Sequence, residues 1–310
     1  MENKPLLSRA PVVIALAILC NALWGSAIPF INLGYRLFQI PAGETAAQIF
    51  FAGCRFFLAG FLTILFTSVP RKALVRPRRE NIHMVVTLGL LQTVSQYVFF
   101  YIGVARTASV TGAIIQGLNA FVSILIACYV FHTERMNRLK WIGGALGVLG
   151  VVVMNLGGSG AGGGMRLTGE GFLLLSMITS ACSAGTIKLF SQKEDPVALS
   201  GWQFMLGGAV MAAAGFAFGG RLHPTGAAGY AVLLYLAALS AVAYTLWGVL
   251  LKYNPVSRIA PYMFLQPIFG VVLSIVFDGG VQGSLLKYLL ALALVCLSIL
   301  VVGKGQQEKA

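Results

Sequence analysis

The chain has 310 residues, of which 58% are hydrophobic and only 10% are charged. Ordinary soluble domains carry about 25% charged residues, so this composition excludes a soluble globular protein and indicates a polytopic membrane protein. The formal net charge of +13 does not indicate a nucleic-acid partner, because the basic residues lie in short loops and no basic domain carries them.

Ten apolar stretches are each long enough to cross a bilayer, since a helix of about 20 residues spans the hydrocarbon core. The first stretch follows Lys4 and Arg9 but has no small-residue cleavage site, so we interpret it as a retained span and not as a secretory signal. The predicted spans fall near residues 11 to 33, 45 to 67, 83 to 104, 107 to 131, 139 to 156, 169 to 189, 197 to 219, 228 to 250, 257 to 277 and 285 to 303.

The distribution of Lys and Arg predicts the orientation of these spans, because cytoplasmic loops are enriched in basic residues. With the N-terminus inside, the cytoplasmic loops receive most of the 22 basic residues, and ten spans then leave both termini in the cytoplasm. The positive charge therefore reflects topology and contact with the lipid bilayer.

The glycine-rich stretch from Gly157 to Gly164 predicts a flexible linker between two halves of five spans each. The halves align weakly but collinearly: residues 54–60 match 202–208, Gln116 matches Tyr262 and Asn119 matches Gln266. Because each half holds an odd number of spans, the second half enters the membrane upside down. Inverted repeats are a transporter architecture with the substrate site between the repeats near the membrane midplane.

The predicted fold is an all-α membrane protein with ten transmembrane helices in two inverted five-helix repeats. Residues 1–156 form the first repeat, 157–168 an external linker, 169–303 the second repeat and 304–310 a cytoplasmic tail.

Polar and aromatic residues recur inside the spans at helical spacing, so that each set lies on one helix face. Such residues either hydrogen-bond neighbouring helices or line an aqueous cavity, and their recurrence in both halves favours the cavity. Aromatic rings would pack on the apolar surface of a substrate, and amides would bind its polar head. The predicted substrate-binding residues are Asn21, Trp24, Arg55, Gln92, Gln96, Gln116, Asn119, Tyr244, Trp247, Tyr262 and Gln266.

Three prolines lie inside predicted spans, namely Pro29, Pro261 and Pro267. Proline removes one backbone hydrogen bond and bends a helix, and the freed carbonyl needs another partner or water. We therefore predict hinge or cavity-wall roles for these positions.

Arg55 is the one basic residue that the topology leaves inside the membrane. A charge at that depth is costly and usually faces a bundle interior or a watery cavity. Two interpretations remain open: Arg55 contacts an anionic group of the substrate, or it binds backbone carbonyls of a neighbouring helix and acts in structure or gating.

No cofactor or metal is predicted, because the five cysteines and three histidines show no ligand spacing. The acidic residues all lie in loops or at span ends, which argues against a proton antiporter with a buried carboxylate. Facilitated diffusion, and coupling to a proton through Glu44 or Asp278, remain as alternatives.

Several motifs together resemble the drug/metabolite transporter superfamily, EamA type. They are Leu23-Trp24-Gly25-Ser26 in the first span, Arg55-Phe56 in the second, the block from Tyr101 to Glu134, and the duplicated ten-span plan. The resemblance covers nearly the whole chain. It implies a secondary transporter or exporter of small metabolites such as amino acids in a bacterial inner membrane, with spans five and ten packed to one side of a central cavity.

The second half departs from the pattern of that family. Gln203 stands where a second Arg-Phe pair would begin, and Gly280 or Val281 stands opposite Glu134. These differences weaken the expectation that the two halves function symmetrically.

Other classes of membrane protein make different predictions. A receptor or sensor would bind a small ligand without flux and usually carries a soluble output domain, but no predicted loop is long enough to form one. A membrane enzyme would need a nucleophile and base or a metal cluster at depth, which the sequence does not indicate. A channel would lack the saturable counterflow of a carrier.

Overall fold

The computed structural model describes residues 9–132, 135–155, 166–191, 193–253, 262–263, 265–277 and 284–307. Within these ranges the structure is helical and contains no β-strand. Several features of the sequence predictions lie outside the described residues: Lys4, Glu134, the linker from Gly157 to Gly164, Pro261, Asp278, Gly280 and Val281. The α-helices are α1 (Ala10–Leu37), α2 (Thr45–Arg71), α3 (Ile82–Leu88), α4 (Gln96–Ala105), α5 (Ser109–Gln116), α6 (Asn119–Tyr129), α7 (Arg138–Asn155), α8 (Phe172–Phe190), α9 (Pro196–Ala217), α10 (Ala227–Tyr253), α11 (Leu265–Phe277) and α12 (Leu285–Gln307).

Each of the ten predicted stretches contains helix, and 8 helical segments of the described chain are long and apolar enough to cross a membrane. The helix α11 is apolar but shorter, with 13 residues, and α7 has 18 residues. The number of crossings and the side on which the termini lie stay predictions. The 8 segments are Ala10–Leu37, Thr45–Arg71, Arg79–Ala105, Ser109–Tyr129, Leu167–Ile187, Pro196–Ala217, Ala227–Trp247 and Leu285–Lys304.

The third predicted span is not a uniform α-helix. Between α3 and α4 the backbone forms a π-helical segment, Gly89–Ser95, which carries Gln92 and ends just before Gln96. Because π-helical turns change the angular spacing of side chains, these two residues do not follow the regular α-helical stripe that the sequence predicts.

The fourth predicted span is interrupted by a turn at Gly117 and Leu118, between α5 and α6. The amide of Gly117 bonds the carbonyl of Ile114 at 3.0 Å, which is the tighter three-residue spacing of a 3₁₀ turn. A Cβ atom on Gly117 would overlap Val295 of α12. The absence of a side chain at this position therefore lets the turn lie directly against α12.

The chain forms two compact units, and the division falls inside α1, after Ser26, and inside α10, after Val242. Unit one comprises Met1–Ser26, Ser109–Gly164 and Ala243–Ala310, and unit two comprises Ala27–Ala108 and Met165–Val242.

Unit two is built around the packing of α2 on α9, which meet at glycines. A Cβ atom on Gly53 would lie 2.8 Å from the carbonyl oxygen of Gly208, and one on Gly60 would lie 2.5 Å from that of Gly201. The alignment that matches residue 54 with 202 also matches Gly53 with Gly201 and Gly60 with Gly208. The alignment therefore converts the contact between Gly53 and Gly208 into the contact between Gly201 and Gly60. This is the pattern expected of two helices related by a two-fold axis.

Unit one contains a similar close packing of α7 on α12, the fifth and tenth predicted spans. A Cβ atom on Gly143 would lie 2.9 Å from the carbonyl oxygen of Ser298, and one on Gly150 would lie 3.0 Å from that of Ala291. Small residues at these positions let the two backbones approach each other closely, as is common between membrane helices.

Candidate functional site

The predicted substrate-binding residues divide between the two units. Unit two contains Arg55, Gln92 and Gln96. The remaining eight belong to unit one. Three of them, Gln116, Asn119 and Gln266, line a small cleft, and Trp24, Tyr244 and Trp247 form a cluster of aromatic rings. These eight are Asn21, Trp24, Gln116, Asn119, Tyr244, Trp247, Tyr262 and Gln266.

The amide cleft is a small recess in unit one, and in this structure it has room for about one water molecule. Gln116 ends α5, Asn119 begins α6 and Gln266 lies in the first turn of α11, so the turn between α5 and α6 presents two amides to one recess. None of the lining residues that the structure describes is charged. The cleft is lined by Gln116, Gly117, Asn119, Met263, Gln266, Pro267 and Ile299.

Two side-chain atoms of the amide cleft are buried and have no hydrogen-bond partner among the described residues: Nε2 of Gln116, a donor, and Oδ1 of Asn119, an acceptor. A buried polar group without a partner costs about 1–3 kcal/mol, and buried polar atoms normally have a protein or water partner. Among the described residues, the recess therefore offers one unpartnered donor and one unpartnered acceptor.

The aromatic cluster consists of Trp24 on α1 with Tyr244 and Trp247 on α10. The ring of Trp24 lies 5.7 Å from that of Tyr244 and 5.2 Å from that of Trp247, and both pairs have the edge-to-face geometry that aromatic rings prefer. Tyr262 and Trp247 pack against an apolar group that includes Val13. The cluster provides an apolar surface of ring faces with polar groups at the ring edges.

The aromatic cluster and the amide cleft meet near one helix crossing. A Cβ atom on Gly25, the neighbour of Trp24, would lie 2.8 Å from the carbonyl oxygen of Gln266 and 2.7 Å from Cβ of Phe269. Glycine at this position lets α1 contact α11 directly. Ring surface and amides therefore lie near each other within unit one.

The prolines predicted as hinges occupy different helical positions. Pro29 lies inside α1, so it leaves the carbonyl of Gly25 without its helical hydrogen bond. A Cβ atom on Gly270 would lie 3.4 Å from the carbonyl oxygen of Gly25. Glycine at position 270 therefore leaves room around that oxygen. Pro267 is the third residue of α11, where a missing N–H removes no helical bond, and it lines the amide cleft.

Asn21 is fully buried on α1 within unit one. Its Nδ2 donates to the carbonyl of Ala17 at 2.8 Å, while its Oδ1 is buried without a partner among the described residues. One turn along α1 from Trp24, it is a third amide with an unsatisfied atom in this unit.

Arg55 lies in unit two, where it is 2% exposed. Its Nε donates to the carbonyl of Leu236 at 3.1 Å, its Nη1 to the hydroxyl of Tyr101 at 2.7 Å and its Nη2 to the hydroxyl of Ser240 at 2.9 Å. The guanidinium carbon also lies 5.0 Å from the ring centre of Phe56, which stabilises the cation. The charge is thus balanced by dipoles and ring faces, and no carboxylate forms an ion pair with it among the described residues.

Gln203 forms a second buried polar contact in unit two. Its Nε2 donates to Oε1 of Gln92, and the hydroxyl of Thr93 lies 3.4 Å from its Oε1. The alignment that matches 54 with 202 matches Arg55 with Gln203 and Gln92 with Ser240. The bonds Arg55–Ser240 and Gln203–Gln92 are therefore counterparts in the two halves.

Gln203 is not among the site residues predicted from the sequence, although its alignment with Arg55 indicated the position. Also absent from that prediction are Tyr101, which supplies a hydroxyl to Arg55 from α4, and the apolar lining residues Met263 and Ile299. Gln96 lies apart from these bonds, and its buried Oε1 has no partner among the described residues.

Comparison with known proteins gives a consistent result over both halves. The model of the EamA-like transporter family matches residues 11–156 and 167–304. A Salmonella typhimurium LT2 protein named "Probable amino-acid metabolite efflux pump" is 25% identical over 278 residues, covering 85% of this chain and 86% of that protein. An Escherichia coli K12 protein of the same name is 25% identical over 270 residues, covering 83% of each chain.

Two further comparisons extend over most of the chain. A Synechocystis protein described as an uncharacterized transporter is 24% identical over 307 residues, covering 93% of this chain and 88% of that protein. A solved crystal structure superposes with a TM-score of 0.65 at 16% identity, covering 95% of this chain and 98% of the other. That structure supports the fold alone.

Proposed function

The chain belongs to the EamA-like transporter family, and from this premise we propose that it is a secondary transporter that exports small amphiphilic metabolites of the amino-acid class. It is a multi-pass membrane protein, and the proposed location is the bacterial inner membrane with both termini in the cytoplasm. Relatives named as amino-acid metabolite efflux pumps support the substrate class.

The observation that carries this proposal is the pair of unsatisfied amide atoms in the amide cleft, Nε2 of Gln116 and Oδ1 of Asn119. An amino acid carries a carboxylate that accepts hydrogen bonds and an ammonium that donates them, and its α-groups are neutral overall. Among the described residues the lining of the cleft is uncharged, which suits such a head group in a state of the protein that opens wider. The rings of the aromatic cluster supply a surface for an apolar side chain.

The proposed mechanism is alternating access between the two repeats. One support is the packing of α2 on α9, where the alignment of the two halves converts each glycine contact into the other. A second is that the bond from Arg55 to Ser240 and the bond from Gln203 to Gln92 occupy matching positions in the two halves. Inverted repeats allow two conformations of similar energy that open to opposite sides. Both α1 and α10 continue from one unit into the other, so they are the helices that must bend or rotate in such a change.

The driving force is proposed to be the substrate gradient or a proton coupled through an acid at a span end. Glu44 directly precedes α2 and is exposed, so it is accessible to protons from solvent. In the described part of the chain, no acidic residue lies in the middle of a span.

A two-step experiment tests the function. Thermal-shift measurements with a panel of amino acids identify a ligand, because a molecule that binds the native state raises its melting temperature. Efflux of that ligand from proteoliposomes is then measured. We expect saturable efflux that requires the protein. A ligand that stabilises the protein but is never transported would indicate a receptor, and the absence of flux for every compound with folded protein would contradict the proposal.

A further inference from the structure

The segment that follows α2 carries a concentration of positive charge. Five basic residues lie between positions 71 and 79, and all of them are exposed. Clusters of this kind next to a membrane helix attract anionic lipids, and the attraction falls off within a Debye length. The five residues are Arg71, Lys72, Arg76, Arg78 and Arg79.

Two of these five side chains have carboxylate partners in the turn before α9. Arg71 lies 2.9 Å from Asp195, and Arg78 lies 3.9 Å from Glu194. The other three, Lys72, Arg76 and Arg79, form no ion pair with any described residue. We call these three residues the cationic surface.

The segment between α2 and α3 is held in place by hydrogen bonds. The indole N–H of Trp202 donates to the carbonyl of Val75 at 2.9 Å, and the amide of Val75 donates to the hydroxyl of Ser68 at 3.0 Å. The side chain of Asn81 donates to Glu194 at 2.7 Å. The backbone that carries the cationic surface is therefore fixed at both ends and in its middle.

Large apolar side chains are exposed on the same part of the chain. Phe66 and Val69 in the last turns of α2 are each 66% exposed, and Leu74 in the following segment is 60% exposed. In a membrane protein such residues face acyl chains, and the cations that follow them in sequence lie near the level of the head groups.

We propose that the cationic surface binds the phosphate of an anionic phospholipid, whose acyl chains lie along Phe66, Val69 and Leu74. Guanidinium groups bind phosphate oxygens through two parallel hydrogen bonds, and Lys72 adds a point charge. A lipid is favoured over a free phosphate ion because the exposed apolar residues adjoin the charges. This site is independent of the substrate and direction of transport.

Titration of detergent-solubilised protein with phosphatidylglycerol tests the proposal, with phosphatidylcholine and glycerol phosphate in parallel. Binding is measured by the melting temperature and by native mass spectrometry of retained lipid. We expect phosphatidylglycerol to bind more tightly than phosphatidylcholine, and the triple variant Lys72→Gln, Arg76→Gln, Arg79→Gln to weaken its binding roughly a hundredfold. Melting temperature in phosphatidylcholine shows whether that variant is folded.

Two control variants separate a specific site from general charge. Arg135→Gln, Arg138→Gln, Lys304→Gln removes three exposed charges elsewhere and should keep the preference for phosphatidylglycerol. Arg76→Lys, Arg79→Lys retains charge and should keep most of the binding. If the first control lost as much phosphatidylglycerol binding as the triple variant, the proposal would be overturned. Unchanged phosphatidylglycerol binding by the triple variant would also overturn it, as would glycerol phosphate that binds as tightly as phosphatidylglycerol.

Discussion

The buried polar side chains of this protein are of two kinds. Arg55 and Gln203 have partners for their polar groups within unit two, whereas Gln116 and Asn119 in unit one each retain an unsatisfied atom. Satisfied groups contribute to the stability of the folded state, and unsatisfied groups reduce it. The first pair is therefore suited to structure and the second to ligand binding.

Replacement of Arg55 tests the structural half of this distinction. Arg55→Gln removes the charged guanidinium that donates hydrogen bonds to Leu236, Tyr101 and Ser240. We therefore expect the free energy of unfolding to fall by about 3 kcal/mol. Ser240→Ala removes one bond and should cost about 1 kcal/mol. Thermal unfolding in a fixed lipid or detergent measures both. Normal stability of Arg55→Gln together with altered substrate selectivity would instead favour direct contact between Arg55 and substrate.

Replacement of the cleft amides tests the other half. Asn119→Leu and Gln116→Leu remove polar atoms that have no described protein partner, so stability should stay the same or rise by about 1 kcal/mol. Loss of a hydrogen bond to substrate should raise KM for transport about tenfold. Gln203→Leu, which removes a paired amide, is the matched control and should lower the melting temperature. Reduced stability with unchanged KM in Asn119→Leu would show that its amide has a structural role.

The sequence predicts that Arg55 lies at membrane depth, but it leaves open whether the side chain contacts substrate or bonds a neighbouring helix. It cannot decide because the partners Tyr101, Leu236 and Ser240 lie far away in sequence, and only the packing of helices brings them together. Two of these three groups are hydroxyls and one is a backbone carbonyl, which has no sequence signature.

Where α2 and α9 cross, the size of the side chains is closely constrained. Gly53, Gly60 and their counterparts Gly201 and Gly208 lie where any Cβ atom would contact the backbone of the other helix or a nearby side chain. Backbone cannot move aside as the end of a flexible side chain can. This packing fixes the relation between the two helices that carry Arg55 and Gln203.

Adding a methyl group at this crossing tests that constraint. Gly53→Ala places Cβ against the backbone of Ala212 and Gly208, and such overpacking typically costs about 1–3 kcal/mol. Gly43→Ala is the control, because no atom lies within 4 Å of the added carbon. We expect a lower melting temperature for the first variant and little change for the second. Equal melting temperatures would mean that the helices separate easily at this point.

Hydropathy located the helices well because length and apolar content are sufficient for that purpose. It missed the turn at Gly117 and the π-helical segment Gly89–Ser95. Both depend on neighbours, as the contact of Gly117 with Val295 shows. The turn brings Gln116 and Asn119 into one cleft, which is the proposed substrate site.

At the scale of the whole molecule, helical periodicity in the sequence selected the candidate site residues. It could not show to which of the two compact units each residue belongs. Regular spacing predicted that Gln92, Gln96 and Gln116 line one cavity, and this stays a prediction; the first two belong to unit two and the third to unit one. Assignment to a unit depends on contacts between distant segments, which a single sequence does not contain. The proposed function is that of a carrier whose substrate binds in the amide cleft beside the aromatic cluster.

Counterflow in proteoliposomes tests that account most directly. Vesicles loaded with an excess of the unlabelled ligand are diluted into a trace of the same ligand carrying a radioactive label, and entry of the label is followed with time. We predict that internal ligand accelerates entry in a saturable manner, and that the double variant Gln116→Leu, Asn119→Leu loses this acceleration while remaining folded. Entry that is linear in concentration and indifferent to internal ligand, or full exchange by the double variant, would contradict the account.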